Sequence, residues 1–128
     1  QADPEVRVEM LVTNRVIDRV EEGIDVALRV RPTLEASGSL VIKQLGETRT
    51  ILVASPELLA RQPAPKTPED LARLDSVAMS VSDGRTSWRL LGPDGAEYVH
   101  VHRPRAVADD LLTLKYAVVM GTGICVLP

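Results

Sequence analysis

The stretch VEEGIDVALRV, residues 20 to 30, decides how the chain reads. An acidic, helix-like run stops at Gly23, and an apolar run begins at once, yet it carries Asp25 and Arg29. Working outward, VRVEMLV (6–12) is rich in Val, Leu and Met and predicts a strand. RVIDRVEE (15–22) follows, with Val16, Ile17 and Val20 at helical spacing. Thr13 or Asn14 can cap that helix, and Gly23 can end it in the left-handed conformation. IDVALRV (24–30) is the next strand. Strand, helix, strand makes a βαβ unit, whose strands are expected to be parallel with a right-handed crossover.

Further along, RPTLEASGSL (31–40) is a loop by its Pro, Gly and Ser content. VIKQLG leads into TRTILVAS (48–55), a strong strand. SPELLARQ then predicts a helix with Ser55 as cap and Pro56 first. TPEDLARL repeats the signal, with Thr67 as cap and Asp70 reaching back to it. DSVAMSV is the next strand, and SDGRTS a loop. WRLL and AEYVHVH, joined by GPDG, form a hairpin. DLLTLKYAVVM is a helix with Leu111, Leu114, Ala117 and Val118 inward and Asp109 at its cap. Gly121 and Gly123 end it before the strand ICVLP. The order strand, polar cap, helix, glycine, apolar strand thus occurs at 6–30 and again at about 104–127. This predicts an α/β chain of two lobes, residues 1–50 and 51–128, joined by the extended stretch 48–55.

Composition narrows the function. The 128 residues are 45% hydrophobic, enough for one core or two small lobes. No apolar run approaches the roughly 20 residues of a membrane span, and no leader resembles a signal peptide. The opening QADPEV reads as a cut inside a larger protein. A net charge of −3 without a basic cluster disfavours nucleic-acid binding by this segment. Three aromatics, Trp88, Tyr98 and Tyr116, are too few for base stacking. The single cysteine, Cys125, lies among apolar neighbours and reads as a buried thiol; no internal disulfide is possible, which fits the cytoplasm.

The charge in the strand has a functional explanation. Open α/β sheets bind ligands in the crevice outside the carboxyl ends of their strands. Arg29 lies at such an end, and Thr13 and Asn14 lie at the end of the preceding strand, where a helix N-terminus favours an anion. Together they suggest a site for a carboxylate or similar anion. Structural roles stand beside this one: Thr13 as a plain cap, and Arg29 paired with Asp25 or Glu35. Ser80, Ser82, Asp83 and Ser87 bracket a loop after a strand and serve either as ligand hydroxyls or as ordinary loop residues. His100 and His102 share one strand face as two metal ligands would, but no third ligand cluster is visible, and an exposed hairpin face is the simpler reading. GTG before ICVLP is not a phosphate loop. No catalytic triad stands out, and no enzyme, metal or cofactor is expected.

These stretches also resemble a known family. VEEGIDVALRV with Arg29, ILVASPELLAR, TPEDLARL, WRLLGPDGAEYVHV and GTGICVLP are similar, in order and spacing, to the effector-binding (regulatory) domain of LysR-type bacterial transcription regulators. The resemblance implies a periplasmic-binding-protein-like fold (type II) of two α/β lobes joined by a crossover strand. It implies a small effector, often a carboxylate or aromatic acid, held between the lobes of an oligomer whose separate N-terminal helix-turn-helix domain contacts DNA. It places Thr13 at an effector-contacting helix start and Ser80 to Ser82 near the second lobe's contribution.

Measured against that family, the helix-turn-helix domain, the first regulatory strand and helix, and the segments after Leu127–Pro128 are missing from this sequence. The first lobe is therefore expected to be incomplete, with exposed strand edges met by rearrangement, disorder or a partner chain, and identical chains are expected to associate. The mechanism expected is a population shift in lobe angle. The alternative, from a different class, is an extracytoplasmic solute-binding protein of a transporter.

Overall fold

A computed structural model describes residues 3–13, 23–30, 41–79 and 81–128. The chain divides into two compact units, residues 1–46 and 47–128.

The second unit forms its elements where local chemistry asks for them. β1 (Ile51–Val53) leads into helix α1 (Pro56–Arg61). Ser55 caps that helix, accepting from the Leu58 amide at 3.1 Å, and Pro56 takes the first helical position, where its missing N–H loses nothing. Pro68–Arg73 coils as a 3-10 helix rather than the expected α-helix. The Asp70 carboxylate accepts the amides of Lys66 at 2.9 Å and Thr67 at 3.1 Å and pairs with Arg73 at 3.1 Å. The Lys66 amide first, then Arg73 and the Thr67 amide, hold the Asp70 carboxyl down at about 2. These bonds tighten a six-residue coil, and short coils favour the 3-10 form.

Strands β2 (Val77–Ala78) and β5 (Ala106–Val107) pair in parallel, and β1 pairs antiparallel with β6 (Cys125–Leu127) in the register Ile51–Leu127, Leu52–Val126, Val53–Cys125. A parallel bridge, Ser76–Ile124, joins the two pairs. Its bonds run from the Val77 amide to the Ile124 carbonyl at 2.9 Å and from the Ile124 amide to the Asp75 carbonyl at 2.8 Å. The crossover from β5 to β6 is helix α2 (Leu111–Val119). Its cap is Asp110, not Asp109: the Asp110 carboxylate accepts the Thr113 amide at 3.0 Å and hydroxyl at 2.7 Å. The hydroxyl bond, then the amide bond, lowers the Asp110 carboxyl. One position decides which acid is three residues from Thr113, the spacing a cap needs.

Ile124 and Cys125 are adjacent and face opposite sides, so the strand serves two cores. Ile124 packs with Leu58, Leu71 and Leu74, backed by Trp88 and Leu90. Cys125 packs with Val77, Leu114 and Val118, backed by Val53 and Ala117. Of the four α2 residues expected inward, Leu114 and Val118 are buried, Ala117 is half-buried and Leu111 is exposed.

In the first unit the expected strands 6–12 and 24–30 carry no ladder among the described residues, and the helix expected over 15–22 and the loop 31–40 lie outside them. Gly23 does take the left-handed conformation, φ 66°. The extended runs leave Val8, Val12 and Val30 largely exposed. A strand is a paired element: alternation of side chains describes a face, but only a neighbour satisfies the backbone groups. For the same reason the strand expected over 48–55 is laddered only at Ile51–Val53, where β6 runs beside it.

Gly123 has no room for a side chain. A Cβ there would stand 2.8 Å from the Asp75 carbonyl oxygen and the Ser76 backbone. Gly123→Ala is expected to open the Ser76–Ile124 bridge and destabilise the chain. Leu58→Ala is expected to lower unfolding free energy by about 2–5 kcal/mol, as for other large-to-small core changes. Urea titration followed by Trp88 fluorescence checks both. A Gly123→Ala midpoint equal to that of the parent would show that the two segments can separate without loss.

Candidate functional site

The hairpin that follows the loop at 81–85 is built from β3 (Thr86–Leu91) and β4 (Glu97–His102), in full antiparallel register. Its turn uses Gly92 and Gly95: the Gly92 amide donates to the Ala96 carbonyl at 2.8 Å, and Gly95 sits at φ 82°. Alternation sends Thr86, Trp88 and Leu90 inward on one strand and Tyr98, His100 and His102 inward on the other. The register puts Trp88 opposite His100 and Thr86 opposite His102. Outward, Arg89 pairs with Glu97 at 2.8 Å.

The histidine face is therefore not the exposed face expected from sequence. His100 keeps only 4% of its surface. Its ring stacks on His102 with centroids 4.4 Å apart, and Trp88 lies 4.1 Å from His102. Burial pulls the His100 ring below the ordinary histidine range. Burial first, and the neighbouring His100 second, bring His102 to about 4. The Ser76 hydroxyl, itself buried, meets His102 Nδ1 at 2.6 Å, while the buried Nε2 of the same ring has no hydrogen-bond partner among the described residues. Between the 3-10 helix and the hairpin opens a cleft of about 540 Å³. Leu71, Ala72, Leu74 and Val101 form its apolar wall; Ser76, His100 and His102 line it with polar groups, and Arg85 and Arg103 complete it.

What this arrangement can do is bind. Among the described residues no third His, Cys, Asp or Glu joins the pair to hold a metal ion. Ser76 and His102 touch, but among the described residues no acid stands behind the ring to make a nucleophile of the serine. Cys125 is sealed in the core, and burial pushes its thiol up.

Of the residues singled out from sequence, Asn14 and Ser80 lie outside the described residues. Thr13 and Arg29 belong to the first unit, both exposed and neither without a partner. Ser82 belongs to the second unit, exposed, in a tight turn where its amide and carbonyl bond those of Arg85 at 2.8 and 3.0 Å. Asp83 and Gly84 carry that turn at φ 52° and 75°. Sequence reasoning passed over Ser76, Arg85 and Arg103. The hairpin's inner face was accessible to it: Trp88 and Leu90 mark that face, and antiparallel pairing carries it to His100 and His102.

Comparison with known proteins bears on the whole chain. Residues 1–128 match the family model described as the LysR substrate binding domain. The chain is 32% identical over 126 residues to an HTH-type transcriptional regulator of Xanthomonas campestris pv. campestris, covering 94% of this chain and 36% of that protein. It is 30% identical over 105 residues to the HTH-type transcriptional regulator DmlR of Escherichia coli, covering 81% of this chain and 34% of that one. It thus spans about a third of the length of these relatives. Among solved structures, a variant of the regulatory domain of AphB from Vibrio vulnificus is similar with a TM-score of 0.63 and 31% identity, over 73% of this chain and 46% of that one. Full-length AphB, the Vibrio cholerae virulence activator, gives 0.58 and 30%, over 67% and 29%.

The buried histidines set a pH dependence. The unfolded chain takes up protons near the ordinary histidine value of 6.5, whereas folded His102 does so only at about 4. Stability from this ring is complete above pH 6.5 and falls as pH drops toward 4. The expected loss is on the order of 1–3 kcal/mol, since one pH unit of difference is about 1.4 kcal/mol. Urea unfolding at pH 7.5 and 4.5, compared with the same measurement on His102→Asn, checks this; equal losses in the two proteins would assign the effect to other groups.

Proposed function

The chain belongs to the LysR substrate-binding domain family, and from that premise we propose that it is the effector-sensing part of a DNA-binding transcription regulator. The observation that carries the reading is the family match over all 128 residues, together with the likeness to AphB regulatory domains. The family is one of binding domains rather than enzymes, and the relatives above are named transcription regulators. The transporter-component alternative is not favoured on those grounds. Among the described residues no helix is long and apolar enough to cross a membrane.

In this reading the protein works in the cytoplasm as a homo-oligomer, and a helix-turn-helix domain of the whole protein contacts DNA. The two lobes, residues 1–50 and 51–128 with a hinge near 48–55, close on a small carboxylate. Thr13, Asn14 and Arg29 meet it from the first lobe, Ser80 and Ser82 from the second. On the sequence pattern, a cation closing the apolar run 24–30 and the amides of a helix expected to start after Thr13 both favour an anion. A ligand that touches both lobes favours one lobe angle, and the oligomer responds by as much as the ligand prefers that angle.

The experiment is calorimetry on the whole protein with carboxylates selected by a thermal-shift screen. Arg29→Ala is expected to weaken binding by about 1.5–3 kcal/mol, the worth of a hydrogen bond to a charged group, and Thr13→Ala by less. Unchanged affinity with a lowered melting temperature would make Arg29 a structural residue and remove it from the site.

A further inference from the structure

We propose that the cleft between the 3-10 helix and the hairpin of the second unit is a separate binding site for a small organic monocarboxylate. Ser76, which lines the cleft, immediately precedes β2, so the cleft reaches that strand's amino end. Ser82 does not line the cleft, although Arg85, its backbone partner, does. All the lining residues belong to the second unit, so this site needs nothing from Thr13 or Arg29 and does not rest on the reading above.

The chemistry of the walls selects the ligand. Arg85 and Arg103 form no salt bridge among the described residues. A guanidinium is always charged and presents paired donors that match a carboxylate. Arg103 is held close by: its Nη1 would stand 2.9 Å from a Cβ at Gly84. The buried ring of His100 lines the cleft and makes ring contacts but no hydrogen bond among the described residues. His102 spends Nδ1 on Ser76 and leaves Nε2 unpartnered. With the serine hydroxyl donating, that Nε2 carries the proton and is a buried donor in want of an acceptor, a costly state in a folded core. The apolar side, with Leu71, Leu74 and Val101, suits a hydrocarbon body and gives an inorganic oxyanion nothing. A cleft of about 540 Å³ is of ordinary size for a small-molecule site.

The test is an NMR titration of the full chain, with ¹⁵N-labelled histidine rings, using hexanoate as probe and inorganic phosphate as the contrasting arm. Hexanoate is expected to shift the His100 and His102 ring signals along a saturable curve in the millimolar range. Arg85→Gln with Arg103→Gln is expected to weaken that curve tenfold or more while leaving the ring signals of the free protein in place, which certifies the fold. Arg29→Ala is expected to leave the curve unchanged. No saturable shift would overturn the proposal. So would equal binding by the double arginine variant, loss of binding in Arg29→Ala, or tighter binding of phosphate than of hexanoate.

Discussion

The second unit depends on one close approach, that of Gly123 to the backbone of Asp75 and Ser76. No side chain fits between them, so the two segments come near enough to exchange the Val77–Ile124 and Ile124–Asp75 hydrogen bonds. Those bonds join the β1–β6 and β2–β5 pairs. They also orient the strand that follows, so that Ile124 enters one core and Cys125 the other. The same approach fixes the start of β2, and with it the Ser76 hydroxyl that meets His102. A backbone constraint without a side chain of its own thus places a polar group of the cleft.

The hairpin carries a burden that an apolar face would not. Three inward positions hold Trp88, His100 and His102, and their rings pack against one another within a half-polar pocket. Neutral imidazole tolerates that environment; imidazolium does not, because desolvation and the neighbouring ring both oppose the charge. Polar groups kept in a core where leucines would pack more favourably point to use rather than to stability. The arginines stay at the rim of the same cleft, where their charges remain hydrated.

A family likeness over the whole chain and a locally built cleft answer different questions. The first says what kind of protein this is, a ligand-binding domain of the LysR type. The second says which groups of this particular chain face a solute. A fold hosts many ligands because its sites are grafted onto it by side chains. In this chain the cleft offers an apolar wall and two guanidinia.

The features the sequence by itself determined are those set within a few residues: Ser55 before Pro56, Asp70 three residues after Thr67, the Gly-Pro-Asp-Gly turn, and Gly23 in the left-handed conformation. Each arises from a side chain or a missing Cβ acting on its own neighbourhood, so spacing alone reveals it. Near misses came where neighbouring positions offered the same chemistry, as with Asp109 and Asp110. Tertiary structure alone decided which extended runs became strands. Ile51–Val53 found a partner in β6, while 6–12 and 24–30 show none among the described residues. It also turned the histidine face inward and brought Ser76 to His102 across 26 residues. Pairing and burial depend on which distant segment arrives alongside, and one chain's alternation records a face without naming what will cover it.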